Sequence, residues 1–156
     1  MSAHVPNTIP ESLATHPFTQ GLSKELLREM ARGGAERTYE TGDRIVREGD
    51  AAKDFFLLLS GKVAVEAVAP DRPHVTIQTL GGGEVLGWSW LMPPDRWRFD
   101  ARALKPTKVW AVDTDVLLAA MEAHPADGYL FLRRLLPVIA ERLEHTRLQL
   151  LDIYAP

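Results

Sequence analysis

Cysteine is absent from this chain of 156 residues. Its absence excludes disulfide bonds, thiolate zinc sites, iron–sulfur clusters and cysteine nucleophiles. The sequence also lacks an uninterrupted apolar run long enough to span a bilayer, and its first residues have neither the basic nor the apolar segment of a secretory signal. We therefore expect a cytoplasmic protein that does not enter a membrane.

An excess of positive charge is lacking as well. The chain has 18 Lys and Arg residues against 21 Asp and Glu residues, which gives a formal net charge of −3. Proteins that bind nucleic acid electrostatically usually carry a basic balance. We therefore expect no sequence-specific DNA binding by this chain alone. With 46% hydrophobic residues, the composition is typical of one globular domain.

Signatures of catalysis are also missing. The five histidines are scattered, and His74 stands alone in its strand-like segment, whereas a metal enzyme built on a β-helix needs paired histidines and a glutamate. No signature supports a Ser–His–acid arrangement, and no glycine-rich loop ends in Gly-Lys-Ser or Gly-Lys-Thr. We therefore expect no enzymatic activity, no metal site and no cofactor.

The N-terminal part of the sequence predicts a tail followed by one short helix. Residues 1–14 are expected to form a flexible tail, because the first ten residues show no hydrophobic periodicity. Ser23 then has the character of an N-cap, and the apolar residues after it lie on one helical face. We expect a single folded domain over residues 15–156.

Residues 35–113 have the pattern of an antiparallel β fold. Short runs rich in β-branched and aromatic residues alternate with turns that contain glycine or proline, such as Pro70-Asp71 and Lys105-Pro106. This spacing predicts a β-roll of the barrel or jelly-roll type. The clearest hairpin is predicted at Ser60-Gly61, between two strands of opposite direction.

Residues 114–153 predict two helices. Asp113 is a candidate N-cap for the first, and Pro125 opens a longer second helix that carries an apolar seam. The seam could pack on the chain's own β-roll or on a second copy, and its period of 3.5 residues favours a homodimer. The predicted interface residues are Leu132, Leu136, Ile139, Leu143, Thr146, Leu150 and Ile153.

The stretch from residue 81 to residue 103 is the candidate ligand-binding segment. Three adjacent glycines and Gly87 permit tight turns and close approach of a partner, and N–H groups at the start of a single helical turn could hold an anion over residues 87–90. The alternative is that these glycines only turn corners in an all-β fold.

Three segments resemble the cyclic-nucleotide-binding domain family. Residues 42–50 and 55–63 are similar to the β-roll signature of that family, and Gly83-Glu84-Val85-Leu86-Gly87 is similar to the head of its phosphate-binding cassette. The resemblance covers residues 17–153 and implies a β-roll with a short N-terminal helix and a long C-terminal dimerisation helix. In the catabolite-activator branch a DNA-binding domain follows, so the resemblance implies a sensor domain without its DNA reader.

The same resemblance implies a changed ligand site. In the family, a glutamate accepts the ribose 2′-hydroxyl and an arginine pairs with the cyclic phosphate. Trp88 stands at the glutamate position and Trp97 at the arginine position, while Arg96 and Arg98 bracket the latter. Thr146 matches a position whose side chain touches the base in the catabolite-activator branch. We expect cyclic AMP and cyclic GMP to bind weakly or not at all.

Three functions remain open: a small-molecule sensor that acts through a dimer helix, an interaction scaffold, and a transcription regulator whose DNA-binding part is on another chain. The three cassette tryptophans either fill the β-roll, as a scaffold requires, or form a stacking platform for a flat ligand. The candidate ligand-binding residues are Gly83, Glu84, Gly87, Trp88, Ser89, Trp90, Arg96, Trp97, Arg98 and Thr146.

Overall fold

The structure of the protein, a computed structural model, describes residues 8–154, except the side chains of residues 72, 73, 153 and 154. None of the helices in this part of the chain is long and apolar enough to cross a membrane. Single 3-10 turns lie at Pro17–Thr19 and Ser89–Leu91. The helices and strands are, in chain order, α1 (Glu11–Ala14), α2 (Lys24–Arg32), β1 (Gly34–Tyr39), β2 (Arg44–Val46), β3 (Asp54–Ala69), β4 (Arg72–Gly81), β5 (Val85–Leu86), β6 (Asp100–Asp113), α3 (Thr114–Ala123) and α4 (Pro125–Tyr154).

The strands form one antiparallel sheet that curls into a roll. Their order is β1-β6-β3-β4, with β2 also paired to β6 and β5 to β3. The pairing of β3 with β6 runs from Asp54 opposite Asp113 to Glu66 opposite Asp100 and changes register on the way. Such irregularities increase twist and bend the strands. The structure therefore confirms the predicted antiparallel β-roll with flanking helices.

The predicted hairpin at Ser60-Gly61 is wrong. β3 is continuous across this dipeptide, and its register against β6 shifts on both sides of it. Gly61 has a φ of +104°, and a Cβ there would lie 2.5 Å from the Cα of Thr107. The glycine therefore permits a bulge and a close approach of two strands. The chain reverses at Pro70-Asp71, and the predicted break at Lys105-Pro106 lies within continuous β6.

The folded domain starts earlier than the predicted boundary at residue 15. The turn of helix α1 places Leu13 in the core with no exposed surface. The Oγ1 of Thr19 donates a hydrogen bond of 2.6 Å to the carbonyl of Leu13, which fixes this turn to the next one. The first seven residues of the predicted tail lie outside the described residues.

The predicted helix starts are confirmed. The Oγ of Ser23 accepts a hydrogen bond of 3.1 Å from the backbone N–H of Leu26 at the start of α2. The carboxylate of Asp113 accepts one of 2.8 Å from the N–H of Asp115 at the start of α3. Pro125 is the first residue of α4. Side-chain caps of this kind satisfy N–H groups that have no partner within the helix.

An aromatic cluster attaches α4 to the roll. Phe131 of α4 packs edge-on against Phe18, Phe55 and Trp90, with ring centroids 5.2, 5.3 and 6.0 Å away. Phe131 and Leu135, one turn later, are both fully buried. The helix face that contacts the roll thus begins one residue before the predicted seam. Leu132 and Leu136 point away from the roll and are exposed.

Candidate functional site

The candidate ligand-binding segment, residues 81–103, is called the cassette from here on. Its backbone packs tightly around Gly87. This residue follows β5, has a φ of +105°, and would place a Cβ 2.5 Å from the ring of Trp97. Its carbonyl accepts a hydrogen bond of 3.0 Å from the indole N–H of Trp90. Only glycine fits both the left-handed backbone and the neighbouring ring. The short helical turn predicted after Gly87 is present as the 3-10 turn at Ser89–Leu91.

Gly83 and Glu84 hold the turn that leads into the cassette. The N–H of Gly83 donates a hydrogen bond of 2.9 Å to the carbonyl of Leu58, and its φ is +91°. The carboxylate of Glu84 accepts one of 2.6 Å from the N–H of Gly81 and is exposed. Both residues therefore shape the backbone at the edge of the roll.

Two of the three cassette tryptophans fill the interior. Trp97 is 5% exposed, and its ring stacks on Phe56 with a centroid separation of 6.2 Å. Trp90 belongs to the aromatic cluster that attaches α4. Trp88 is only partly buried and packs against Phe99 at 6.5 Å. Trp88 is therefore the cassette tryptophan that the interior does not fully enclose.

Arg96 and Arg98 lie on the opposite side of this segment from Trp97. Both are exposed, and their guanidinium groups donate to the carbonyls of Gly49 (2.8 Å) and Pro93 (3.2 Å). Side chains two residues apart in an extended segment share a face, while the residue between them points the other way. The structure thus turns Trp97 inward and keeps both arginines outside the roll.

The ring of Trp88 is covered by Arg142, a residue that the sequence reasoning missed. Arg142 lies on α4, is 6% exposed, and places its guanidinium carbon 4.2 Å from the centre of the Trp88 ring. Its Nε donates a hydrogen bond of 2.7 Å to the Oε1 of Gln78 on β4. The other two guanidinium nitrogens are buried and have no hydrogen-bond partner among the residues that the structure describes.

A signal for Arg142 exists in the sequence. Phe131, Leu135, Val138 and Arg142 follow one another at steps of four, three and four residues, which is the spacing of one helical face. A charged residue that continues an apolar row indicates a buried or paired charge. The predicted seam runs beside this row, and the family resemblance indicated Thr146 as the contact from this helix instead.

Thr146 and Ser89 differ in how their hydroxyls are used. The Oγ1 of Thr146 donates 3.0 Å to the carbonyl of Arg142 within α4, which occupies its hydrogen atom. The Oγ of Ser89 is buried and has no partner within residues 8–154.

The contacts of Arg142 bring Trp88, Phe99, Gln78 and Arg142 together at one place.

The fold agrees with comparisons to known proteins. The sequence model described as the cyclic nucleotide-binding domain matches residues 36–124, more than half of the chain. The chain belongs to the cyclic nucleotide-binding domain family. This confirms the family that residues 42–50, 55–63 and 83–87 indicated.

Relatives of this domain occur in larger proteins of several kinds. Glutaminase 1 of Bradyrhizobium diazoefficiens is 32% identical over 142 residues, which is 84% of this chain and 21% of that protein. The cGMP-dependent protein kinase, isozyme 1, of Drosophila melanogaster is 33% identical over 96 residues, 60% of this chain and 12% of the kinase. The chain therefore spans about a fifth or less of these curated relatives.

A solved structure gives the same fold. The catabolite activator protein of Thermus thermophilus superposes with a TM-score of 0.68 at 27% sequence identity, covering 86% of this chain and 61% of that chain. This chain therefore shares its fold with a part, 61%, of that longer chain.

Arg142 carries a buried positive charge in this cyclic nucleotide-binding domain. Burial lowers the pKa of its guanidinium group to about 10, while the negative charges of Glu84 and Glu141 act in the opposite direction. The group therefore remains cationic at neutral pH. A buried cation with unused donors and an aromatic ring beside it can bind an anion and stack against a flat group.

Proposed function

We propose that this chain is a regulatory, small-molecule-sensing domain in which cyclic nucleotide recognition is changed or lost. Trp97 carries the proposal, because it fills the interior at the position that the family resemblance assigns to the phosphate-pairing arginine. Loss of a charge-assisted pair weakens binding by about 1.5–3 kcal/mol. Trp88 at the ribose-acceptor position removes a second polar contact.

We infer that the sensor acts through α4 and that α4 is the helix of a homodimer. The predicted interface residues Leu132, Leu136, Leu143 and Leu150 are 48%, 64%, 70% and 51% exposed in the isolated chain. Ile139 and Thr146 are half-buried at the same seam, and the side chain of Ile153 lies outside the described residues. A row at heptad spacing that is apolar except for Thr146 is typical of pairing with a second helix.

The location of the domain, its lack of enzymatic activity and its lack of DNA binding are inferred from its charge and from its relatives. We infer a cytoplasmic domain without enzymatic activity of its own, since the match to the glutaminase covers only 21% of that enzyme. Because the net charge is −3, we infer that this chain alone does not bind DNA sequence-specifically. A sequence-selective, salt-dependent gel shift with the purified chain would contradict this inference.

Titration calorimetry with cyclic AMP and cyclic GMP tests the proposed ligand change. We expect either no heat of binding or a dissociation constant weaker than about 1 µM, which corresponds to about −8 kcal/mol. Quenching of tryptophan fluorescence provides a second readout, because Trp88 faces the site. Binding of either nucleotide at or below about 1 µM would refute the proposed change.

The second candidate function is an interaction scaffold, which the burial of Trp90 and Trp97 inside the roll favours. Native mass spectrometry of the purified chain separates the two candidates. A dimer that retains a small molecule supports the sensor, and a dimer of bare polypeptide mass supports the scaffold. Co-purification with a helix-turn-helix protein would instead indicate a regulator whose DNA-binding part is on another chain.

A further inference from the structure

The two halves of α4 are held on the roll in different ways. Phe131 and Leu135 in the first half are fully buried among apolar side chains of the core. Between residues 140 and 152, all of which the structure describes, Arg142 is the only buried residue. Pro137 lies between these two regions and has no backbone N–H, so the helix lacks one hydrogen bond there. The hold of the second half on the roll therefore depends mainly on one charged side chain.

Arg142 makes its contacts with the roll through its guanidinium group. The guanidinium carbon lies 4.2 Å from the ring centre of Trp88 and 5.7 Å from that of Phe99, and Nε donates a hydrogen bond of 2.7 Å to Gln78. Farther along the helix, Gln149 adds hydrogen bonds of 3.0 and 3.2 Å to two backbone carbonyls of β4. A separation of 4.2 Å is direct contact and leaves no space for another group. The side chain of Arg142 itself therefore occupies the face of Trp88.

The same contact leaves part of the guanidinium group unsatisfied. Its two terminal nitrogens are buried and have no hydrogen-bond partner within residues 8–154. Burial lowers the pKa of Arg142 to about 10, because the surroundings disfavour the charged form. Release of the helix would return these donors to water, whereas the cation–π contact and the hydrogen bond to Gln78 oppose release. One side chain thus contributes both to docking of the helix and to its release.

We propose that Arg142 is an internal latch, which holds the second half of α4 against Trp88 without a ligand and still allows that half to be released. This goes beyond the proposed function, because the side chain that covers the ring belongs to the chain itself. Leu143 follows Arg142 directly and Leu150 lies about two turns later, and both are exposed members of the predicted seam. The latch therefore determines how the second half of the seam is presented to a second copy.

Hydrogen exchange in the ligand-free full chain, followed by mass spectrometry of peptides from residues 140–152, tests the latch. Arg142→Ala removes every contact of the guanidinium group, whereas Arg142→Met keeps a long side chain on Trp88 without charge or donors. Arg, Met and Ala are all good helix formers, so differences in exchange report docking of the helix. We expect exchange at least about threefold faster than wild type in Arg142→Ala and at least about threefold slower in Arg142→Met.

The methionine variant distinguishes a latch from a fixed anchor. If Arg142 only anchored the helix, loss of its cation–π contact and hydrogen bond would loosen both variants. Exchange in folded Arg142→Met that equals or exceeds wild type, or unchanged exchange in folded Arg142→Ala, therefore overturns the proposal.

Arg147→Gln is the matched control, because Arg147 lies on the same helix, is exposed and pairs with Glu144. Its exchange is expected to stay within about twofold of wild type. Circular dichroism checks the folding of each variant. If Arg142→Ala does not fold, the comparison of Arg142→Met with wild type decides alone.

Acrylamide quenching of tryptophan fluorescence provides the second readout, because Trp90, Trp97 and Trp110 are buried and Trp88 is only partly buried. We expect stronger quenching in Arg142→Ala and no increase in Arg142→Met. Unchanged quenching in folded Arg142→Ala would show that Arg142 does not shield the ring, and it would overturn the latch. Both measurements use ligand-free protein, so tight binding of cyclic AMP in calorimetry would refute the proposed ligand change without altering either result.

Discussion

Gly87 is the residue at which a missing side chain decides the geometry of the site. We expect Gly87→Ala to lower the free energy of unfolding by about 2–6 kcal/mol, because backbone strain adds to the overlap with the Trp97 ring. Gly42→Ala is the matched control, since Gly42 has a φ of +92° and nothing within 4 Å of an added Cβ. Urea unfolding measures both variants, and equal losses would show that the Trp97 contact is unimportant.

His16 ties the N-terminal segment to the roll as a neutral ring. Its Nδ1 accepts from the N–H of Phe18 at 3.1 Å, which leaves Nε2–H to donate to the carbonyl of Leu58 at 3.0 Å. Burial lowers its pKa below the usual value of 6.5. The unfolded chain therefore takes up the proton more readily, and stability is lost as the pH falls below about 6.5.

The variant His16→Asn tests this pH dependence. Asparagine retains an acceptor for the N–H of Phe18 but does not titrate. We expect a lower Tm than wild type at about pH 7.5 and a smaller further decrease between about pH 7.5 and 5.5. Thermal unfolding followed by circular dichroism provides the two slopes. Parallel slopes for wild type and variant would mean that His16 takes no part in the pH response.

Local chemistry explains which elements were predictable. The N-caps Ser23 and Asp113 and the glycine turn at Gly87 act within a few residues, so their sequence signals were sufficient. The dipeptide Ser60-Gly61 has the local signal of a turn, but its role is decided by Thr107, which lies far away in sequence and next to it in the sheet. Continuous, bent strands depend on pairing between residues that are far apart in sequence. A short stretch of sequence therefore does not reveal them.

The site was predictable only in part, for a related reason. The inward orientation of Trp97 and the outward orientation of Arg96 and Arg98 depend on strand register, which the sequence left open. Arg142 reaches the site from α4, 39 residues after the candidate segment ends at residue 103, and the packing of the helix on the roll selects it over Thr146.

The two faces of α4 differ in what they stabilise. Phe131→Ala is expected to lower the free energy of unfolding by about 3–5 kcal/mol at any protein concentration, because Phe131 fills the aromatic cluster. Leu132→Ala, one residue later and exposed, should lose less than about 1 kcal/mol at high dilution and more where dimers form. Denaturant titrations at two concentrations test this, and equal losses at high dilution would place the wrong face on the roll.

For the whole molecule, the seam of α4 is expected to set the oligomeric state. Leu143 is 70% exposed, so Leu143→Glu should leave the fold of the single chain intact and place two charges against each other in a dimer. Leu148→Glu is the matched control, because Leu148 is 50% exposed but lies off the seam. Sedimentation at micromolar concentration should show dimers for wild type and Leu148→Glu and monomers for Leu143→Glu. A monomeric wild type, or a dimer that persists in Leu143→Glu, would exclude this seam as the interface.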